Sequence, residues 1–419
     1  MKTIRYIKGL VLFAAVCSGL AVTSCVDEPD RYEIADGVPT VYYVRMPDPE
    51  VADSLITGAY MANTVCLVGE NLRSVYELYF NDQKAILNTS LITDNTLIVD
   101  IPSVIPSVVN NKISLVNRDK DTVFYDFNVI VPAPEIRSMS NEYAKPGTVA
   151  TLYGDYFIDD PNVPLKIEIG DVPVTEITSI DRYAVSFKIP ETAEMGYVNV
   201  ESIYGTGKST FRYMEEDGIL FDFDNDGDDA IAAFSGWHAP VIGTIDKVPS
   251  IDGNYLIFQG DLDNGAWNDA NFAFEYWPYG DSATPYLNTL VDFDDLSNLQ
   301  LKFEVNVPDA WSACAMQILL TTNNEVSGDN MNNTFFNNDT FPRALWIPWQ
   351  SEGSYTTTDW TTITVPLSDF RYGASGMSIS PLSVTDITGL TLFVWNGGVT
   401  GTACSPTICI DNIRIVPIN

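Results

Sequence analysis

The sequence predicts an all-β protein: two small β-sandwiches that repeat each other, followed by one larger sandwich. Three observations lead there. Short runs rich in Val, Ile, Thr, Tyr and Phe recur between Gly, Asn, Asp and Pro, and helical periodicity is almost absent. Two stretches repeat at a spacing of about 85 to 90 residues, a usual length for a small sandwich. From Gly218 onward Trp and Asn become frequent, and all eight Trp residues lie there. About 200 residues of strand signal after that shift suit a single larger sandwich.

In chain order, the first element is not part of the fold. Lys2, Arg5 and Lys8 precede an apolar run, Gly9-Leu-Val-Leu-Phe-Ala-Ala-Val-Cys17, and small residues end at Ala21-Val-Thr-Ser24. That is a secretory signal over 1–24, too short to cross a bilayer core of about 30 Å. Cys25 follows directly, which resembles a bacterial lipobox, although Ala-Val-Thr-Ser replaces the commoner Leu-small-small pattern. The resemblance implies acylation of Cys25, and each buried methylene then contributes roughly 0.8 kcal/mol of membrane affinity. Residues 25–37 are polar and acidic and read as a tether. No second long apolar segment occurs after it.

Composition excludes more than it selects. The 419 residues hold 22 Lys and Arg against 56 Asp and Glu, a formal net charge of −34. Nucleic acid and anionic lipid headgroups both require clustered basic residues, so neither is a partner. An uncharged ligand is compatible with this field. Beyond Cys17 and Cys25 only Cys66, Cys314, Cys404 and Cys409 remain, too few for a disulfide scaffold. Cys404 and Cys409 are spaced to allow one small disulfide loop. Cys66 sits in a strand-like run as a packed thiol.

The repeated stretches define two modules, 38–131 and 132–214. Val65-Cys-Leu-Val-Gly-Glu-Asn-Leu72 matches Ala150-Thr-Leu-Tyr-Gly-Asp-Tyr-Phe157, and Leu97-Ile-Val-Asp-Ile-Pro102 matches Val185-Ser-Phe-Lys-Ile-Pro190. A strand, then Gly-(Glu/Asp)-x-(Leu/Phe), then a strand closing on Ile-Pro resembles the IPT/TIG immunoglobulin-like family. Pro132-Ala-Pro134 stiffens the join, because proline fixes φ.

Residues 215–419 form the third part. Trp360-Thr-Thr-Ile-Thr-Val-Pro-Leu-Ser-Asp-Phe370 and Ile408-Cys-Ile-Asp-Asn-Ile-Arg-Ile-Val416 alternate, and the second is expected to pair with Ile219-Leu-Phe-Asp-Phe223. Both resemble edges of a jelly-roll carbohydrate-binding module. Sugar rings present flat C–H faces that pack on Trp and Tyr, while their hydroxyls need Asn, Asp and Gln nearby. Three aromatic clusters meet that requirement: Trp237-His238, Trp267 through Tyr276-Trp277-Pro-Tyr279, and Trp346-Ile-Pro-Trp349. Pro278 is expected to end its strand, so that Tyr276 and Trp277 reach one rim. Trp237, Trp267, Tyr276, Trp277 and Tyr279 are the leading candidates; Trp346, Trp349 and His238 are weaker. Trp311, Trp360 and Trp395 are expected in the core.

The whole pattern, a lipidated Cys25, a tether, two IPT/TIG-like modules and an aromatic-rich sandwich, resembles the surface glycan-binding protein B family of polysaccharide-utilisation systems. That resemblance implies non-catalytic capture of a neutral xyloglucan or β-glucan at the outer membrane, facing the exterior. It also implies a glycan transporter and surface glycosidases as partners. Trp237 and Tyr276-Trp277 match the stacking aromatics of the family.

Other chemistry is weaker. Asp222-Phe-Asp-Asn-Asp-Gly-Asp-Asp229 places alternating carboxylates before a turn, which suits a hard cation such as Ca²⁺. Ala233 occupies the twelfth position, where an EF-hand needs an acid. A calcium between the first and last strands would use Asp222, Asp224, Asp226 and Asp411 or Asn412; the alternative is a solvated acidic turn, with no cofactor. His238 is the single histidine and no Gly-x-Ser-x-Gly elbow occurs. Two rivals stay open: a surface-anchored glycoside hydrolase, because acids are abundant, and a protein-binding adhesin.

Overall fold

The computed structural model of the chain describes residues 32–51, 53–224, 236–263, 269–280, 285–327 and 336–418. Strand predominates and, among the described residues, no helix reaches seven residues, so the class is all-β. The signal, Cys25, most of the tether, Asp226 and Trp267 lie outside the described residues. Two compact units emerge, Met1–Val131 and Pro132–Asn419.

The first unit contains β1 (Thr40–Arg45), β2 (Leu55–Ile56), β3 (Gly58–Tyr60), β4 (Thr64–Glu70), β5 (Glu77–Phe80), β6 (Gln83–Lys84), β7 (Thr96–Asp100), β8 (Lys112–Val116), β9 (Thr122–Asp126) and β10 (Asn128–Ile130). Its main sheets run β2-β1-β4-β7 and β6-β5-β8-β9. Leu97 and Val99 of β7 and Leu78 and Phe80 of β5 are buried, while the other residues of those strands are not, which is the period of two that the sequence shows.

The second module opens the second unit with β11 (Glu135–Met139), β12 (Val149–Asp155), β13 (Lys166–Ile169), β14 (Val172–Pro173), β15 (Ile177–Asp181), β16 (Ala184–Lys188), β17 (Gly196–Ser202) and β18 (Gly205–Tyr213). Its sheets run β11-β12-β16-β15 and β14-β13-β17-β18 around Leu152, Ile167, Val185, Phe187 and Val198. The repeated glycine has a physical cause in both copies. A Cβ on Gly69 would lie 1.8 Å from the Thr40 carbonyl oxygen, and one on Gly154 would lie 1.8 Å from that of Glu135. Each sits at a register shift against the first strand of its module.

The remaining strands are β19 (Ile219–Phe221), β20 (Ile242–Gly243), β21 (Tyr255–Gln259), β22 (Ala273–Tyr276), β23 (Leu299–Asp309), β24 (Ala315–Thr321), β25 (Ala344–Trp346), β26 (Thr361–Pro366), β27 (Gly389–Trp395) and β28 (Thr407–Pro417). One sheet runs β20-β21-β28-β23-β26, with β19 also paired to β28; the other runs β22-β27-β24-β25. Ile219 faces Arg414 and Phe221 faces Ile413, the first-to-last pairing that alternation predicts. The core between them includes Phe221, Phe258, Phe274, Phe303, Ile318, Leu392 and Ile410. Cys404 and Cys409 do not close a loop: both are free, and Cys409 is buried on β28.

The second module and this sandwich are joined by a buried seam. Glu142, between β11 and β12, receives Lys302 Nζ at 2.5 Å and Arg414 Nη2 at 2.8 Å. Arg414 also donates to Glu304 at 2.7 Å, and Thr362 Oγ1 donates to Glu304 at 2.8 Å. All four charged groups are buried, two of each sign, so the set is neutral and hydrogen-bonded. The Glu142 N–H donates to Thr362 Oγ1 at 2.7 Å, and the Arg414 guanidinium stacks 4.8 Å from the Tyr143 ring centroid. Tyr143 packs with Val248, Ile251, Tyr255, Trp360 and Cys409.

Candidate functional site

The outer face of the β22-β27-β24-β25 sheet carries the aromatic array. Alternation puts Phe274 and Tyr276 of β22 into the core and Glu275 on the opposite face, with Trp277 directly after the strand. On β27, Leu390, Leu392 and Val394 face inward, so Thr391, Phe393 and Trp395 face outward.

Trp277 is the hub. It is fully buried, and its indole N–H donates to Thr391 Oγ1 at 2.8 Å. Phe336 lies parallel to it, centroids 5.6 Å apart and planes 19° apart, while Trp237 meets it edge-on at 5.5 Å and 78°. Phe336 meets Phe393 at 5.8 Å, and Phe393 stacks with Trp395 at 6.4 Å. Ala273, Leu319 and Val326 complete this small outer core.

Two polar devices hold the array. The buried Glu275 carboxylate accepts the Trp237 N–H at 2.5 Å and the His238 N–H at 3.0 Å, and its other oxygen lies 3.0 Å from His238 Nδ1. Gly236 is required beside it, because a Cβ there would lie 2.3 Å from the Glu275 Cβ. On the other side, Arg343 is fully buried and donates to Gln317 Oε1 at 2.7 Å, Phe336 O at 2.9 Å and Asn338 O at 3.2 Å. Burial pushes this guanidinium down to about 10, with Asp339 acting weakly in the opposite sense. Arg343 thereby fixes the backbone that lays Phe336 over Trp277.

The sequence-predicted residues separate into three groups. Trp237 and Tyr279 are exposed at 39% and 41% and stand at the surface, with His238 beside Trp237. Tyr276 and Trp277 do not share a rim: they leave opposite sides of the sheet, and both are covered. Tyr276 lies in the main core against Phe221, its hydroxyl donating to Pro285 O, and burial raises that hydroxyl above its ordinary pKa. Pro278 does end the strand, but too late to turn Tyr276 outward. Trp346 and Trp349 belong to the inner side as well. Trp346 meets Trp311, Phe303 and Tyr355 edge-on, and Trp349 is buried with its indole N–H on Cys314 O at 2.8 Å. Trp311 and Trp360 are core, as expected; Trp395 instead is half-buried on the outer face. Sequence reasoning missed Glu275, Phe336, Arg343 and Trp395. Only Trp395 had a readable signal, the alternation of Leu390-Thr-Leu-Phe-Val-Trp395.

The acidic corner centres on the last strand. Asp411 is fully buried on β28 and its Oδ2 has no hydrogen-bond partner among the described residues. Burial, with Asp252, Glu304 and Asp224 nearby, pushes its carboxyl up to about 9, while the Asn412 N–H pulls the other way. Asp224 instead accepts the Asn254 N–H. Among the described residues no group of three or more acidic, His or Cys side chains could hold a metal ion.

The family model for the surface glycan-binding protein B xyloglucan-binding domain matches residues 213–417. The solved structure of surface glycan-binding protein PbSGBP-B from Prevotella bryantii is 38% identical, with a TM-score of 0.79 over 92% of this chain and all of that one. An IPT/TIG domain-containing protein from Bacteroides ovatus is 29% identical over 209 residues, 46% of this chain. That match spans 42% of the relative's own length.

Proposed function

Since the chain belongs to the surface glycan-binding protein B family, we propose that it captures a neutral plant polysaccharide of the xyloglucan or β-glucan type, without cleaving it. The ligand packs on the exposed Trp237 indole at the edge of the outer face, with His238 beside it. Trp277 supports that platform from below.

The observation that carries the reading is the mounting of Trp237. A half-exposed indole is braced edge-on by a buried one and fixed through its main chain by a buried carboxylate. A ring held this way loses little freedom on binding, which favours stacking on a sugar face. Binding on this reading needs no cofactor. Acylation of Cys25 holds the protein on the outer membrane facing outward, where a glycan transporter and surface glycosidases receive the captured chain. Among the described residues no helix is long and apolar enough to cross a membrane.

Native gels loaded with xyloglucan, mixed-linkage β-glucan or a charged polysaccharide test the proposal on the chain from Glu28 onward. Retardation by the neutral glucans, with no reducing sugar released from them, is the expected result. Released reducing sugar would make the protein a hydrolase, and no retardation by any glycan would favour the adhesin.

A further inference from the structure

We propose that the free edge of β7 in the first module docks an extended, positively charged polypeptide segment of a partner protein, which adds to the sheet as a further strand. The two modules share one fold, so each shows what the other lacks. In the second, β15 lies along β16, with Ile177 opposite Phe187 and Ile180 opposite Val185. The Lys188 N–H there donates to Glu176 O at 2.9 Å.

By the repeated motif, β7 is the counterpart of β16, but the stretch before it does not form a strand. It makes a 3-10 turn, Thr89–Leu91, opened by Asn88, whose side chain accepts the Ser90 N–H at 3.1 Å. It rejoins β7 only at the end of the strand, where Ile92 bridges Leu97. β7 is therefore the outermost strand of its sheet. The Ile98 carbonyl and the Asp100 N–H take no main-chain partner among the described residues.

A cleft of about 550 Å³ runs beside this edge, walled by Ile86, Leu91, Ile98 and Val104, with Lys84 and Asp100 on its rim. Ile86 is 90% exposed and Val104 60%. No aromatic ring lines the cleft, so it does not offer a sugar platform. Unpaired main-chain groups at strand spacing beside an apolar wall are the recognition surface for strand addition, in which alternate side chains fill the wall. The second module shows the arrangement satisfied by a strand of its own chain. Charge decides the source. A net −34 repels a second copy of this chain and attracts a cationic segment.

A dye-labelled, end-blocked peptide alternating Ile with Lys, titrated into the full chain at low salt, tests this by fluorescence anisotropy with hydrogen-exchange mass spectrometry. Saturable binding with slowed exchange around residues 96–101 is expected, and a peptide with Glu in place of Lys should bind at least tenfold more weakly. Asp100→Pro removes the outward N–H and should weaken binding tenfold or more. Ile86→Lys with Val104→Lys should do the same, and both positions are exposed enough to leave the melt unchanged. No saturation at millimolar peptide, slowed exchange elsewhere, or equal binding to the double variant would overturn the proposal. Self-association of the chain that the double variant abolishes would overturn it too, by giving the edge to a second copy.

Discussion

Replacing Trp237 and Trp277 by Ala separates ligand contact from support. Trp277 is fully buried, hydrogen-bonded to Thr391 and sandwiched by Phe336 and Trp237. Emptying such a site costs about 3–5 kcal/mol. The orphaned Thr391 hydroxyl adds roughly 1 kcal/mol. A fold stabilised by about 5–15 kcal/mol survives that loss only with a markedly lower melting temperature. Trp237 is 39% exposed and gives up mainly its edge-to-face contacts with Trp277 and His238, about 1 kcal/mol. As a ligand anchor it should still cost about 2 kcal/mol of binding, close to thirtyfold in affinity. Calorimetry with xyloglucan and thermal melts on the same samples decide the matter. Trp237→Ala should bind poorly and melt almost normally, whereas Trp277→Ala should lose both. Unchanged affinity for Trp237→Ala would refute the platform. An unchanged melt for Trp277→Ala would refute its burial.

Three further outcomes follow from the same geometry. Glu142→Ala leaves Lys302 and Arg414 buried without one of their carboxylates, and should cost about 3–5 kcal/mol in urea titrations; a change below about 1 kcal/mol would mean that the seam is wet. Asp411 ionises near 4 when unfolded but only near 9 when folded. Between those values the folded state holds a proton that the unfolded state has released, so stability falls by up to about 1.4 kcal/mol per pH unit as pH rises. Asp411→Asn should therefore melt higher than the parent at pH 7, with the difference shrinking towards pH 4. A lower melt, or a parent melt raised by Ca²⁺ and lowered by EDTA, would assign the corner to a bound cation. Cys25→Ala should leave the domains folded and release the protein from the membrane fraction; continued partitioning with membranes would remove the anchor.

Local pattern carried the fold. Alternation at Leu97 to Val99 was enough to orient that strand, because side-chain direction repeats every two residues. Ile408 to Val416 is instead buried on both faces and its inward side chains pass from Ile410 to Ile413 at a register shift, although its pairing with the first strand was legible. Even the motif glycine had a cause that sequence could mark but not explain, the carbonyl pressed against its missing Cβ. The site was legible as composition and not as arrangement. Trp237 stood out because Gly236 and Pro240 flank its short loop. The covering of Trp277 depends on Phe336, which Arg343, just before β25, holds in place. Nothing local to Tyr276 or Trp277 states that. The seam was invisible for the same reason, since Glu142 and Arg414 are 272 positions apart.

The seam also determines where this protein tolerates recombination. A graft that exchanged the C-terminal sandwich at residue 214 would separate Glu142 from Lys302 and Arg414, and the recipient would inherit two buried cations with only Glu304 to balance them. The two parts must therefore change together, and a relative's sandwich can be accepted only along with its own second module. The boundary at Val131 and Pro132 falls between the compact units. Natural exchange of spacers, and any engineered change in their number, should find its joints there.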